Sequence, residues 1–190
     1  MHRPAKNLSV RDTRAARRVK RLFDMVAAAG ILVLLSPVLL ILAVAVKMSS
    51  PGPIMTRQER LGQGGCAFLL HKFRTLHRGG EQGSAVAVRG DARVTPLGRW
   101  LRRTRLDELP QLIDVLRGKM SLVGPRPEVP HLLADVPRDV RDTVLSVRPG
   151  VTGPAAIDFL CADEVLDGMA EPEMLYIRHI APLKHQMEAE

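Results

Sequence analysis

The sequence predicts an α/β chain, mostly helical, in which one long apolar N-terminal helix precedes a small α/β domain. Three observations carry that expectation. An uncharged run over residues 25–46 ends at a breaker cluster, Ser49-Ser50-Pro51-Gly52-Pro53. Short apolar segments flank a glycine cluster that suits a hairpin, and beyond Thr95 apolar residues recur at the helical period. With 190 residues the chain is long enough to bury a core but too short for two independent catalytic domains. The expected organisation is a basic arm over 1–21, a membrane helix over 22–48 and a cytosolic domain with surface-associated helices over 49–190.

A formal net charge of +8 and a pI near 10.3 point to polyanionic partners: nucleic acid, anionic lipid headgroups or phosphorylated small molecules. Aromatic residues make up 3% of the chain, which argues against nucleic acid, because a single-stranded platform needs exposed rings on which bases stack. Cys66 and Cys161 lie far apart with no CxxC pair. They read as reduced thiols in a cytosolic compartment rather than as a disulfide or a zinc site.

Residues 25–46 read MVAAAGILVLLSPVLLILAVAV, a run whose helical length, at about 1.5 Å per residue, matches the apolar core of a bilayer. A simple transmembrane span is the plain reading; a signal peptide fits less well, since the run is long for an h-region. Basic residues flank both ends: Arg14, Arg17, Arg18, Lys20 and Arg21 before it, and Lys47, Arg57 and Arg60 after it. Each flank draws its end toward the cytoplasm. A straight span cannot satisfy both, whereas a helix that enters, bends and leaves by the same face can. Ser36-Pro37 stands near the middle of the run. Proline removes a backbone hydrogen bond, and a neighbouring serine can satisfy the carbonyl so freed. On the residues alone, a re-entrant helix broken at Ser36 and Pro37 and a plain span both stand.

After the breaker cluster, residues 66–70 and 73–76 are apolar enough for strands, and Gly62, Gly64 and Gly65 suit the turn before them. Residues 77–91 are glycine-rich and polar, which predicts a mobile loop. Thr95-Pro96 reads as an N-cap with proline at the first helical position, and Leu97, Trp100 and Leu101 as one apolar face. A second helix is expected to open at Asp107, with Leu109, Leu112, Ile113 and Leu116 at the helical period and Gly118 as its stop. Residues 123–127 and 147–153 read as rigid, turn-rich loops, and residues 164–170 and 172–180 as short C-terminal helices.

The chemistry concentrates in Arg102-Arg103-Thr104-Arg105-Leu106-Asp107-Glu108, where two adjacent carboxylates follow an arginine cluster. At a helix N-terminus, the dipole and the guanidinium charges would keep Asp107 ionised. An ionised carboxylate is a possible nucleophile toward phosphorus. The same place attracts phosphate, and a divalent cation, magnesium better than zinc, would offset the repulsion between two anionic partners. Taken alone, the pair reads first as an ordinary helix start, an aspartate cap followed by a first-turn glutamate.

More specific is a set of six segments in order along the chain. They are Lys20-Arg21-Leu22-Phe23-Asp24, Ser36-Pro37, Gln58-Glu59-Arg60-Leu61-Gly62, Lys72-Phe73-Arg74-Thr75, Leu106-Asp107-Glu108-Leu109-Pro110-Gln111 and Met120-Ser121-Leu122-Val123-Gly124-Pro125-Arg126-Pro127. Together they resemble the monotopic phosphoglycosyl transferase superfamily, the bacterial sugar transferases. The resemblance implies a re-entrant anchor in the bacterial inner membrane with the catalytic domain on the cytoplasmic side. It implies a UDP-sugar and undecaprenyl phosphate as substrates, release of UMP, a covalent phosphosugar on Asp107, and Mg2+ at Asp107 and Glu108. Lys72, Arg74, Arg102, Arg126 and Arg148 match basic positions of the family's motifs and are assigned to phosphate groups, a task that suits bidentate arginine. A homodimer is an allowed assembly.

Departures from the pattern leave the sugar open. Many members carry a Gln and an Asn-Gly-Arg after the Pro-Gly-x-Thr-Gly loop, whereas this chain reads Pro154-Ala155-Ala156-Ile157-Asp158. It is more similar to a subgroup with Gly-Pro-Ala there and a later segment like Pro172-Glu173 and Tyr176; Lys119 stands where an acidic residue is common. The competing reading is a non-catalytic, membrane-tethered adaptor whose basic arm binds anionic lipid. Such an arm has no use for an Asp-Glu pair beside a Pro-Arg-Pro loop.

Overall fold

A computed structural model describes residues 14–80, 91–133, 136–155, 172–175, 178 and 180–189. Helix α1 (Arg14–Ser49) runs 36 residues without interruption and so begins inside the expected basic arm. Asp24, Ala28, Leu42 and Val46 are its buried positions. Ile31, Leu32, Leu39 and Ala43 pack partly alongside them, at the spacings of a single helix face. Both halves of that face rest on the same domain: Ala28 packs with Phe68, Leu70, Leu112, Val115 and Met120, and Leu42 and Val46 pack with Phe73 and Leu101. The remaining faces stay apolar and exposed, with Phe23, Val26, Val33, Leu34, Leu40 and Ile41 all turned outward.

Pro37 has no N–H to offer Val33 O four residues back. Ser36 Oγ donates to that carbonyl at 2.8 Å, so the helix continues through the proline with its acceptor satisfied. The last turn is tied down by Arg74, whose guanidinium donates to the carbonyls of Val46, Ser50 and Pro53.

Strands β1 (Met55–Leu61) and β2 (Ala67–Phe73) form an antiparallel hairpin in register Met55↔Phe73 to Leu61↔Ala67. The glycine turn is where the sequence placed it, but the strands differ. The hairpin's first strand is the polar run MTRQERL, and one strand covers 67–73 where two apolar segments were expected. β1 alternates exposed and half-buried residues along an open edge, so its pairing rests on the backbone and leaves no apolar signature. Leu76 bridges Val94, and the amide of His77 donates to Arg93 O at 2.8 Å, which closes the base of the loop expected at 77–91. Residues 81–90 of that loop lie outside the described residues.

Helix α2 (Pro96–Arg103) starts as expected, with Thr95 Oγ1 accepting from the amide of Gly98 at 2.8 Å. A Cβ on Gly98 would run into the main chain of Thr75, so only glycine lets α2 sit directly on the end of β2. Leu101 is fully buried and Leu97 packs beside it, but Trp100 is 48% exposed, and the expected three-residue apolar face is a two-residue one.

The second helix does not open at Asp107. Leu106–Glu108 is a single 3-10 turn, and helix α3 (Gln111–Leu116) begins only after Pro110. Proline at 110 cannot donate back to Leu106 O, and the amides of Glu108, Leu109, Leu112 and Ile113 each donate to the third residue back. A short parallel pair joins β3 (Ser121–Val123), which runs into the loop expected over 123–127, with β4 (Gly150–Thr152), which lies inside the loop expected over 147–153. A Cβ on Gly124 or on Gly150 would collide with the other's backbone segment, which is why both glycines are needed for the approach. Helix α4 (Arg138–Leu145) precedes β4. At the C-terminus, α5 (Pro172–Leu175) covers part of the helix expected over 172–180, and α6 (Ala181–Ala189) lies beyond it. The helix expected over 164–170 lies outside the described residues, as does Tyr176.

Candidate active site

Four segments converge on the carboxylate pair. β2 brings Lys72, the end of α2 brings Arg102, the 3-10 turn brings Asp107 and Glu108, and the loop after β3 brings Arg126. The chain enters the turn through Arg105, the one non-glycine among the described residues with a left-handed backbone, at φ 58°. That conformation costs an ordinary residue on the order of 1–3 kcal/mol. It reverses the chain sharply after α2, so that Asp107 and Glu108 face inward, 6% and 7% exposed.

The two neighbours have opposite environments. Glu108 Oε1 receives Lys72 Nζ and Arg126 Nη2, each at 3.0 Å, with Arg105 Nη1 at 3.9 Å. Burial alone would raise the Glu108 carboxyl, but the charges of Arg126 and Lys72 outweigh it and hold the group far below the ordinary range. Lys72 pays in the other direction: burial draws its pKa down against the pull of Glu108. Asp107 Oδ1 is buried with no hydrogen-bond partner. Burial raises the Asp107 carboxyl, Lys72 opposes the rise, Glu108 adds to it and Arg102 opposes it again. The helix terminus expected to favour the Asp107 carboxylate is absent, and burial outweighs the nearby cations, so the carboxyl lies above its ordinary value.

The five basic residues assigned to phosphate separate into three groups. Lys72 and Arg126 meet at Glu108, and Arg102, whose Nε donates to Thr75 Oγ1 at 2.9 Å, acts on Asp107 through its charge. Arg74 does not take the place assigned to it. It is 4% exposed and clamps the end of α1, because a buried guanidinium must spend its donors on nearby carbonyls. Arg148 is exposed, on the segment leading into β4.

Sequence reasoning missed Arg105, although it stands within the arginine cluster. It also missed the buried pair of Glu128 with Lys184, and His71, whose Nδ1 lies 2.7 Å from Asp114 Oδ1. Only the spacing of Lys184, His185 and Glu188 on one helical turn signals the C-terminal contribution. For a cation, no group of three or more His, Cys, Asp or Glu gathers among the described residues. The free acceptor Asp107 Oδ1 beside Glu108 fits an ion such as Mg2+, which is bound through one or two carboxylates and takes its other ligands from phosphate and water.

Comparison with known proteins places this chain in a lineage. The profile described as Bacterial sugar transferase matches residues 15–186. The chain belongs to the bacterial sugar transferase family. Within it, this sugar transferase is 48% identical over 143 residues to the UDP-glucose:undecaprenyl-phosphate glucose-1-phosphate transferase of Caulobacter vibrioides, a match covering 73% of this chain and 53% of that protein. It is 42% identical over 142 residues to the UDP-N-acetylgalactosamine-undecaprenyl-phosphate N-acetylgalactosaminephosphotransferase of Aeromonas hydrophila, covering 73% of this chain and 34% of that protein. A UDP-glucose:undecaprenyl-phosphate glucose-1-phosphate transferase of Escherichia coli is 41% identical over 169 residues, covering 85% of this chain and 36% of that protein. The sugar transferase thus spans about a third to a half of the length of these relatives. The six segments that carried the resemblance all fall inside the matched span.

Proposed function

We propose that this sugar transferase moves a sugar 1-phosphate from a UDP-sugar to undecaprenyl phosphate, releasing UMP, and so begins assembly of a bacterial glycan. The observation that carries the reading is the pairing of a cation-locked Glu108 with a buried, unpartnered Asp107 oxygen. An acceptor with no partner in a dry, positively framed site is available to attack phosphorus, whereas one held by two cations is not.

In the first displacement, a carboxylate oxygen of Asp107 attacks the phosphorus that bears the sugar. The new O–P bond forms as the bond to the bridging oxygen breaks, and UMP departs with that oxygen and its electron pair. In the second, a phosphate oxygen of undecaprenyl phosphate attacks the same phosphorus, and Asp107 leaves as carboxylate with the lipid diphosphate sugar formed. Arg102, Arg105 and Arg126 carry their charges beside the carboxylate pair and would meet the equatorial oxygens as these gather charge. Lys72 keeps Glu108 charged and tempers the rise that burial imposes on Asp107. The Asp107–Glu108 pair would hold Mg2+, which supplies positive charge against the diphosphate when bound.

The acceptor lipid is reached through α1, which we read as re-entrant, with both ends on the cytoplasmic side of the inner membrane. The support is that both halves of the helix pack on one domain while its other faces remain apolar and exposed. A straight span would carry one half away from that domain.

The test uses the purified full chain in detergent with a panel of UDP-sugars. UMP release is expected with magnesium and lost on chelation. Without lipid acceptor, intact-mass analysis is expected to show a phosphosugar adduct on the peptide containing Asp107. An adduct on Glu108 would move the nucleophile to that residue, and no stoichiometric UMP release without acceptor would replace two displacements by direct transfer.

A further inference from the structure

Arg126 grips Glu108 from a loop, residues 124–128, that belongs to no helix or strand. A loop guanidinium holds a fixed position only if its own backbone is held. Two contacts from the C-terminal helix do this. Glu188 Oε1 accepts from the main-chain N–H of Arg126 at 2.9 Å, and Lys184 Nζ donates to Glu128 Oε1, two residues further on. The second contact is closed to water, with both side chains 4% exposed, and Arg60 Nη1 stands 4.0 Å from the other Glu128 oxygen. The Glu128 carbonyl in turn accepts from Leu61 N at 2.9 Å, which joins the loop to the end of β1. His185 Nδ1 lies 3.3 Å from Glu188 Oε2, and the Glu188 side chain is 1% exposed.

Buried charges are costly unless they are paired and hydrogen-bonded. A C-terminal helix that only covered the core would present apolar residues at these positions. α6 instead buries the side chains of a lysine, a histidine and a glutamate, and directs two of them at the Arg126 main chain and at Glu128.

We propose that Glu188 is a positioning residue of the active site: by fixing the Arg126 backbone it sets the guanidinium on Glu108, with the Lys184–Glu128 pair as the second pin. The chemical role of Arg126 rests on the function proposed above; the positioning itself does not. α6 thereby couples the C-terminus of the chain to the transfer step without touching substrate.

The experiment has one arm that is independent of activity. Amide hydrogen exchange of the full chain in detergent reads the Arg126 N–H directly. Glu188→Ala is expected to speed exchange in the peptide spanning 125–128, whereas Glu188→Gln, which keeps a carbonyl acceptor, is expected to leave it slow. In the kinetic arm, Glu188→Ala is expected to lower kcat for UMP release between about tenfold and a hundredfold, with KM for the UDP-sugar within about twofold, and Glu188→Gln to restore most of kcat. Arg126→Ala combined with Glu188→Ala is expected to be no slower than Arg126→Ala alone, since the second change acts only through the first. Additive losses, or loss of kcat without faster exchange at 125–128, would overturn the proposal. If wild-type protein releases no UMP from any UDP-sugar, the proposed function fails while the exchange arm still decides the positioning. Unchanged exchange in Glu188→Ala overturns the positioning whatever the activity.

Discussion

Asp107 and Glu108 are neighbours in sequence, equally buried, and energetically opposite. Glu108 is stabilised as an anion by Lys72 and Arg126. Asp107 is held where burial works against its charge. Substitution by the isosteric amides should therefore separate them. Asp107→Asn removes a disfavoured charge and is expected to leave the thermal midpoint unchanged or raise it slightly, while abolishing turnover and the covalent adduct. Glu108→Gln leaves two half-buried cations without their anion and is expected to cost about 1–3 kcal/mol of stability, as the loss of a charged hydrogen-bond partner does. Thermal unfolding of both variants in the same detergent checks this. A marked destabilisation by Asp107→Asn with none by Glu108→Gln would reverse the assignment of roles.

Among the elements, α6 and the loop it holds are linked by a titratable contact. Glu128 is buried, which alone would raise its carboxyl, but Lys184 lowers it below the ordinary glutamate value. A depressed carboxylate contributes stability that is present above its unfolded value, about 4.3, and lost as pH falls through its folded value. Wild-type stability is thus expected to fall on acidification below about pH 4. In Lys184→Met the chief opposing charge is gone, and only the lesser pull of Arg126 and His185 remains against burial. The variant is expected to be less stable at neutral pH and to lose less on acidification, as read from denaturant midpoints across pH. Parallel curves for the two proteins would show that the pair carries no linkage. The hairpin and α2 offer a contrast in legibility. Thr95 with Pro96, and the glycine turn, act through neighbours along the chain and were readable. Strand β1 was not, since a polar edge strand is specified by its partner.

At the scale of the whole molecule, α1 determines where the site can sit. Its packed face binds both core clusters, and its exposed apolar faces have no protein partner among the described residues. In the re-entrant reading proposed above, such a helix would reach lipid sideways and hold the domain at the membrane surface. Tags on both termini are expected to be accessible only from the cytoplasmic side of intact cells. The Ser36→Leu, Pro37→Ala double variant, which restores the N–H donor to Val33 O and dispenses with the serine, is expected to favour a straight span and place one terminus outside. A periplasmic terminus in the wild type would overturn re-entry.

The sequence by itself determined the features that neighbouring residues control. These are the apolar length of α1 and its serine-proline pair, the hairpin turn, the cap at Thr95, and two carboxylates side by side among arginines. Six ordered segments were enough for the family. Tertiary structure decided what each group can do. It committed Arg74 to the anchor, replaced the expected helix start at Asp107 with a 3-10 turn, and brought Lys72 and Arg126 into contact with Glu108. It also placed α6 behind Arg126. The reason is physical: conformational preference is set within a few bonds, whereas the state of a carboxylate depends on its burial and on charges carried by segments far away in the chain.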